Sequence, residues 1–268
     1  SVITGRIVSF SGDEMNIGHF FSAFSLIIIS YFQFRLKKTS LVFLVAITFV
    51  VISFLIGERS NFIRTLLIIL AYTFVVFQIN FKLKIISLFA IISFIILTIN
   101  LNENYRDRYF VQFTEVLSKK GFSFYLNNSI YGAHYKVAYE IFKDNQLFGV
   151  GIKNFRIESF SEKYDNLDHS EPERRGNTHP HQIHFEFLSE TGLVGYASFL
   201  IFIIYSIFIS FKNYRKNKNL FQLSGMLYVL VSLLPLLPSG SFFSTYTSGL
   251  FWFNYAIMVG YNNKKIKF

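Results

Sequence analysis

The sequence predicts an all-α fold: a polytopic membrane helix bundle of about seven transmembrane helices with one large external helical loop. Three observations predict it. Hydrophobic residues make up 52% of the 268 and Phe alone numbers 35; mean hydropathy is +0.39. That is more apolar side chain than a water-soluble core needs, and a bilayer requires it. Seven apolar runs reach or approach the roughly 20 residues that a helix needs to cross the hydrocarbon. The connections between them alternate in charge, as short loops on opposite sides of a membrane do.

In chain order the runs are 17–34, 40–56, 61–79, 84–100, 187–211, 220–237 and 249–262. The last two are short. Pro235 and Pro238, followed by Gly240, should end the sixth helix, because proline lacks the N–H and crowds the preceding turn. With alternating spans, one side receives Arg35, Lys37 and Lys38; Lys82 and Lys84; Lys212, Arg215, Lys216 and Lys218; and Lys264, Lys265 and Lys267. None of these connections holds an acid, and every Asp and Glu falls on the other side. Short Lys- and Arg-rich loops stay cytoplasmic. Residues 1–16, the turn 57–60, the long loop and 238–248 are therefore expected outside. The domain division that follows is 1–100 for the first four membrane helices, 101–186 for an external, periplasmic loop, and 187–268 for the last three membrane helices. The chain opens on a polar stretch without a basic, apolar leader, so further spans are expected upstream.

The net charge of +10 does not point to nucleic acid. The basic residues sit in short clusters between apolar runs, not on one continuous face. The chain has no cysteine, which excludes disulfides, a thiolate nucleophile and thiolate metal ligands.

The long loop reads as structured. Helical stretches are expected near 103–119 and 131–145, the second with Tyr135, Ala138, Tyr139 and Phe142 at helical spacing. Asn145 and Gly149 break that pattern. Residues 161–178 are polar and mixed in charge and read as a mobile segment.

Four constellations could carry chemistry. Gly57-Glu58-Arg59 puts Arg59 at the outer mouth of a span, and Arg64 lies five residues on, about 7.5 Å deeper at 1.5 Å per residue. Arginine inside a span is costly and points to function, and its planar, permanently charged fork suits phosphate. Snorkelling or an ion pair with Glu58 would be the structural explanation. In Thr178-His179-Pro180-His181-Gln182-Ile183-His184, Pro180 suits a first helical turn capped by Thr178 or His179. His181 and His184 would then share one face, with Glu186 and Glu190 on roughly the opposite one. An imidazole here can act as a base or hydrogen-bond to phosphate. The His spacing matches no established zinc motif, so no metal and no cofactor are expected; ordinary histidines on an interfacial helix would be the plain alternative. Gly149-Val150-Gly151 permits a tight turn and close backbone approach. It is not a dinucleotide fingerprint, since no strand precedes it and the third glycine is missing. Arg6 in the opening segment could assist anion binding or be a plain loop arginine.

In this order the pieces resemble the O-antigen ligase and Wzy-type O-antigen polymerase family, in its C-terminal portion. The resemblance rests on Gly57-Glu58-Arg59, Gly149-Val150-Gly151-Ile152-Lys153-Asn154-Phe155, His179-Pro180-His181-Gln182 and Glu190-Thr191-Gly192-Leu193-Val194-Gly195. Gln182 departs from the asparagine usual in the family. Tyr131-Gly132-Ala133-His134 stands where family members often carry arginine; His134, Arg106 or Arg108 are candidates to replace it. The resemblance implies a metal-independent glycosyltransferase of the bacterial inner membrane whose active site faces the periplasm. The implied donor is a glycan on undecaprenyl pyrophosphate, and the acceptor hydroxyl belongs to lipid A–core or to another glycan, with membrane lipids around the protein. His181 and Arg59 are expected to be catalytic. Arg64, Arg6, His179, His184, Glu186, Glu190, Gly149 and Gly151 are expected to bind substrate. The rival class is a transporter or channel for a polysaccharide or small solute, since intramembrane arginine also marks solute pathways; the lack of an internal inverted repeat counts against it.

Overall fold

The computed structural model describes residues 17–36, 38–111, 121–235 and 237–262. Arg6, Lys37, Lys264, Lys265, Lys267 and the end of the expected 103–119 helix lie outside the described residues. Among the described residues there is no strand. The helices used below are α1 (Ile17–Leu36), α2 (Thr39–Ile56), α3 (Arg59–Val76), α4 (Phe81–Leu101), α5 (Ile130–Asp144), α6 (Ile183–Asn217), α7 (Leu220–Ser232) and α8 (Thr245–Gly260). Each of the seven expected spans contains a helix, the sixth only as far as Ser232. Five of them, α1 to α4 and α6, are long and apolar enough to cross a membrane. The other two, α7 and α8, have 13 and 16 residues. α7 stops at Ser232, three residues before Pro235, as expected for a helix ahead of proline.

The chain divides into two compact units. The first comprises Ser1–Gln112, Ile207–Ser232 and Leu250–Phe268, and the second Phe113–Ser206 and Leu233–Gly249. In the first, α1, α2, α3 and α7 pack together. Apolar packing alone does little to bind helices in lipid, because the tails are as apolar as the side chains, so polar contacts between helices matter. Ser30 of α1 donates to Tyr72 of α3 at 2.9 Å and shares a 2.6 Å hydrogen bond with Ser224 of α7, all three buried. At another point Asn262 Oδ1 accepts from Gln222 of α7 at 2.8 Å and from Asn213 of α6 at 3.3 Å. α4 is apolar along its length yet buries only Ile91, the pattern of a helix whose surface is left to hydrocarbon.

α2 ends at Gly57, which adopts φ 82. The last carbonyls of a helix lack intrahelical partners, and the segment after α4 supplies them. Tyr105 donates to the Leu55 carbonyl at 2.6 Å, Tyr109 to the Phe54 carbonyl at 3.1 Å, and the buried Arg108 to the Gly57 carbonyl. A π turn, Asp107–Val111, sets the spacing of these side chains.

The second unit is built around α5. Ser129 caps it, its hydroxyl accepting from Gly132 N at 3.0 Å. Its buried face is Val137, Ala138 and Ile141, packed with Phe155 and Tyr164. Tyr135 and Ala138 are buried as expected, whereas Tyr139 is exposed and Phe142 only half-buried. The stripe runs one position off the expected one. The segment 161–178 is not a loose strap. Its turns at Glu162–Tyr164 and Pro172–Arg175 are pinned by the buried Arg175, which donates to the Pro172 and Ser161 carbonyls and to Asp165. Composition gave no hint of that anchor. A ring cluster of Phe187, Phe199, Phe242 and Phe243 closes the unit beside the start of α6.

Candidate functional site

α6 begins at Ile183 and not at Pro180. Gln182 is the cap: its side-chain oxygen accepts from His184 N at 2.7 Å and Phe185 N at 3.1 Å. His181 therefore lies outside the helix, with a left-handed φ of 57, and does not share a helical face with His184. A non-glycine residue held there is strained by about 1–3 kcal/mol and persists only where its surroundings enforce it. One such constraint is the Ser239 N–H, which donates to the His181 carbonyl at 2.8 Å.

The left-handed turn delivers the His181 ring to a cluster in the second unit. It stacks on His134 of α5 with centroids 5.3 Å apart, lies 4.0 Å from the ring of His179, and meets the Tyr131 ring edge-on at 5.5 Å. Asn177 Nδ2 stands 3.3 Å from Nε2 of both His134 and His181. Burial pulls the His134 imidazole down to about 4, with His181 adding to the effect, and pulls His179 down to about 3; His181 is lowered by burial too. All three are neutral near pH 7, so each offers a ring nitrogen able to take a proton. His184 faces elsewhere, bonding through Nε2 to the Leu233 carbonyl at 2.8 Å and through Nδ1 to the Tyr196 hydroxyl at 2.9 Å.

Two motifs that the sequence kept apart form one element. α6 breaks at Gly192, where φ is 63 and ψ −169. The break withdraws Leu193 N–H and Val194 N–H from the carbonyls four residues back. Those amides donate instead to the Gln146 and Leu147 carbonyls at 2.7 and 3.1 Å. The freed Ser189 and Glu190 carbonyls accept from Val150 N and Gly151 N at 3.0 and 2.9 Å. The loop after α5 is thus laced into the gap in the helix. The approach is so close that a side chain at Gly149 would meet the main chain of Glu190 and Thr191, and one at Gly192 the main chain of Leu147 and Phe148. Gly149 and Gly151 also hold positive φ of 65 and 96, which glycine alone adopts without penalty.

The two acids tie down loops. Glu190 accepts from Lys153 N at 2.6 Å and Phe155 N at 3.3 Å, fixing the start of the short helix Phe155–Glu158. Glu186, also buried, accepts from Phe242 N at 2.7 Å and from the Ser241 hydroxyl. Neither carboxylate is within hydrogen-bonding distance of His181 in these contacts. Among the described residues, no group of three or more His, Asp or Glu is arranged to hold a metal ion.

Arg59 and Arg64 belong to the first unit. Half-buried Arg59 opens α3 and donates to the Arg108 carbonyl at 3.1 Å. Arg64 is buried one turn further on and donates to Asn61 Oδ1 at 3.2 Å. Asn61 in turn donates to Glu58 at 2.6 Å, and Glu58 accepts from Gly18 N at 3.0 Å. Glu58 is thus linked to Arg64 through Asn61 and not by the direct ion pair with Arg59 that their adjacency suggested. Arg6 lies outside the described residues. Sequence reasoning named His134, Arg108 and Tyr131 without placing them, and it missed Asn177. The signal available for Asn177 was its position two residues before the His-Pro-His run.

Five helices long and apolar enough to cross a membrane define a multi-pass membrane protein. A family model described as O-antigen ligase matches residues 44–200, more than half of the chain, and the chain belongs to that family. Membership makes it a membrane glycosyltransferase of the ligase or polymerase type, acting on lipid-linked glycans. No curated protein matches the sequence.

Proposed function

We propose that the chain transfers a glycan from undecaprenyl pyrophosphate to an acceptor hydroxyl, on lipid A–core as a ligase or on another glycan as a polymerase. The observation that carries this reading is the His134–His179–His181 cluster at the entry to α6, with His134 buried, His179 and His181 half-buried and all three neutral near pH 7. His181 is the base. As the acceptor oxygen bonds to the anomeric carbon, the hydroxyl proton passes to the His181 ring, the bond from that carbon to the pyrophosphate oxygen breaks, and lipid pyrophosphate leaves with the electron pair. The leaving group is already a stabilised anion, so cationic donors suffice to lower the barrier. Arg59 is assigned to that task, with Arg64 and Arg6 binding the same pyrophosphate. His179 meets the substrate beside His181. His184, Glu186, Glu190, Gly149 and Gly151 contribute through the loops they anchor. No metal ion enters the reaction. The charge alternation supports a bacterial inner-membrane protein with residues 101–186 and this site on the periplasmic face.

The test is made in cells with the full-length protein. Arg59→Ala and His181→Ala should each abolish glycan transfer while membrane levels persist. Normal transfer in both variants would remove the assignment. Loss of a polymerase should leave single-repeat surface glycan, and loss of a ligase should accumulate undecaprenyl-linked polymer. In vitro transfer with purified lipid-linked donor separates the rival, since a transporter would form no glycosidic bond.

A further inference from the structure

Asn177 lies between two imidazoles, and its own orientation is set from the other end. Its Oδ1 accepts from Thr178 N at 2.6 Å and from the Thr178 hydroxyl at 3.2 Å. A flipped amide would point its NH2 at the Thr178 N–H, donor against donor. The NH2 therefore faces the rings, with one hydrogen for His134 Nε2 and one for His181 Nε2, each at 3.3 Å. An amide nitrogen can only donate, so both Nε2 atoms accept, and each neutral ring carries its hydrogen on Nδ1.

The surroundings discourage a second charge. His134 faces His181, His169 and the Arg174 main chain. His179 faces His181, His134, Arg156 and the Ser239 main chain, which also faces His181. Tyr131 abuts the His134 and His181 rings. With two imidazoles stacked 5.3 Å apart, a charge on one opposes a charge on the other.

We propose that Asn177 is a positioning residue: by donating one N–H to each of His134 and His181, it holds the two rings as a neutral Nδ1–H pair that accepts a single proton. The proposal rests on the reading of His181 as the base. When the acceptor hydroxyl delivers its proton to His181 Nε2, the long Asn177 contact there yields. The contact to His134 keeps the amide in place for the next turnover. His134 thus acts through Asn177 and touches no substrate.

Asn177→Asp replaces the two donors by acceptors at the same size and favours imidazolium. In the purified full-length chain, the acidic limb of the transfer rate should move to higher pH. Activity at pH 7 should fall about tenfold for each unit by which the limb passes above pH 7 and return at higher pH, with KM little changed. Imidazole nitrogens labelled with 15N read the same effect without turnover. Wild type should show Nδ1–H and a bare Nε2 at the assigned His134 and His181 resonances through neutral pH, and Asn177→Asp should show imidazolium there. A wild-type spectrum with Nε2–H at both rings, or an unmoved acidic limb in folded Asn177→Asp, would overturn the proposal. Should Asn177→Asp not fold, the wild-type spectrum still decides. Full transfer by His181→Ala would refute the base itself, a failure distinct from a failure of the spectra.

Discussion

Gly192→Ala perturbs the point where the loop after α5 is laced into the broken α6. Gly192 holds φ 63 and ψ −169, a region occupied almost only by glycine and costing other residues about 1–3 kcal/mol. The added Cβ would also fall on the Leu147 carbonyl and Phe148 N, main-chain atoms that cannot rotate aside. Relief comes from straightening the helix. Leu193 N–H and Val194 N–H then recover the Ser189 and Glu190 carbonyls, but Val150 N, Gly151 N, Gln146 O and Leu147 O lose their partners. At about 0.5–1.5 kcal/mol for each of the two bonds lost net, release costs about 1–3 kcal/mol in either chain; what the substitution changes is the closed form, raised by about 3 kcal/mol of backbone strain and overlap. Every 1.4 kcal/mol is tenfold, so opening of the loop should rise on the order of 100-fold. Hydrogen exchange across residues 146–155, on the chain in detergent, reads this directly. Gly149→Ala should behave alike, because its Cβ would meet the main chain of Glu190 and Thr191. Gly249→Ala, whose Cβ meets nothing within 4 Å, should exchange as wild type. Unchanged exchange in Gly192→Ala would refute the reasoning.

Three further outcomes are expected. Glu190→Ala removes the carboxylate that accepts from Lys153 N and Phe155 N; at about 1.5–3 kcal/mol for hydrogen bonds to a charged group, limited proteolysis should open residues 150–160 much faster. Ser30→Ala breaks the Ser30–Tyr72–Ser224 contacts; since interhelical hydrogen bonds in membranes are worth about 0.6 kcal/mol on average, thermal unfolding in detergent should show a small loss with the fold kept. His134 and His179 are lowered from 6.5 to about 4 and about 3, so the unfolded chain binds more protons below pH 6.5. Stability is full above that pH and declines as pH falls toward 4, by up to about 1.4 kcal/mol per pH unit for each ring. Unfolding curves at pH 7.5 and 5 measure it, and His134→Gln should flatten the difference.

The membrane helices were legible because hydrophobic run length and loop charge are one-dimensional signals. α1 to α4 fall within a few residues of their apolar runs. The entry to α6 was not legible, because either Pro180 or Gln182 can start a helix. The Gln182 cap decides between them, and with it the placement of His181 outside the helix. The glycine motifs were visible as separate turns, but their interlocking depends on backbone carbonyls freed at Gly192, which no side chain advertises. His134 could be named and not placed, because nothing local ties a residue on α5 to Asn177 and His181. Arg59 was legible by its exceptional position at the mouth of a span. Its bond to Arg108 joins residues 49 apart in sequence and follows from the docking of residues 103–111 on the end of α2.

The most direct measurement is single-turnover transfer by the purified protein in lipid vesicles, with undecaprenyl-pyrophosphate-linked glycan, a hydroxyl acceptor and EDTA. Wild type should release one lipid pyrophosphate for each new glycosidic bond, and His181→Ala and Arg59→Ala should release none. Transfer unaffected by both substitutions, or glycan carried across the bilayer with its pyrophosphate linkage intact, would contradict the assignment.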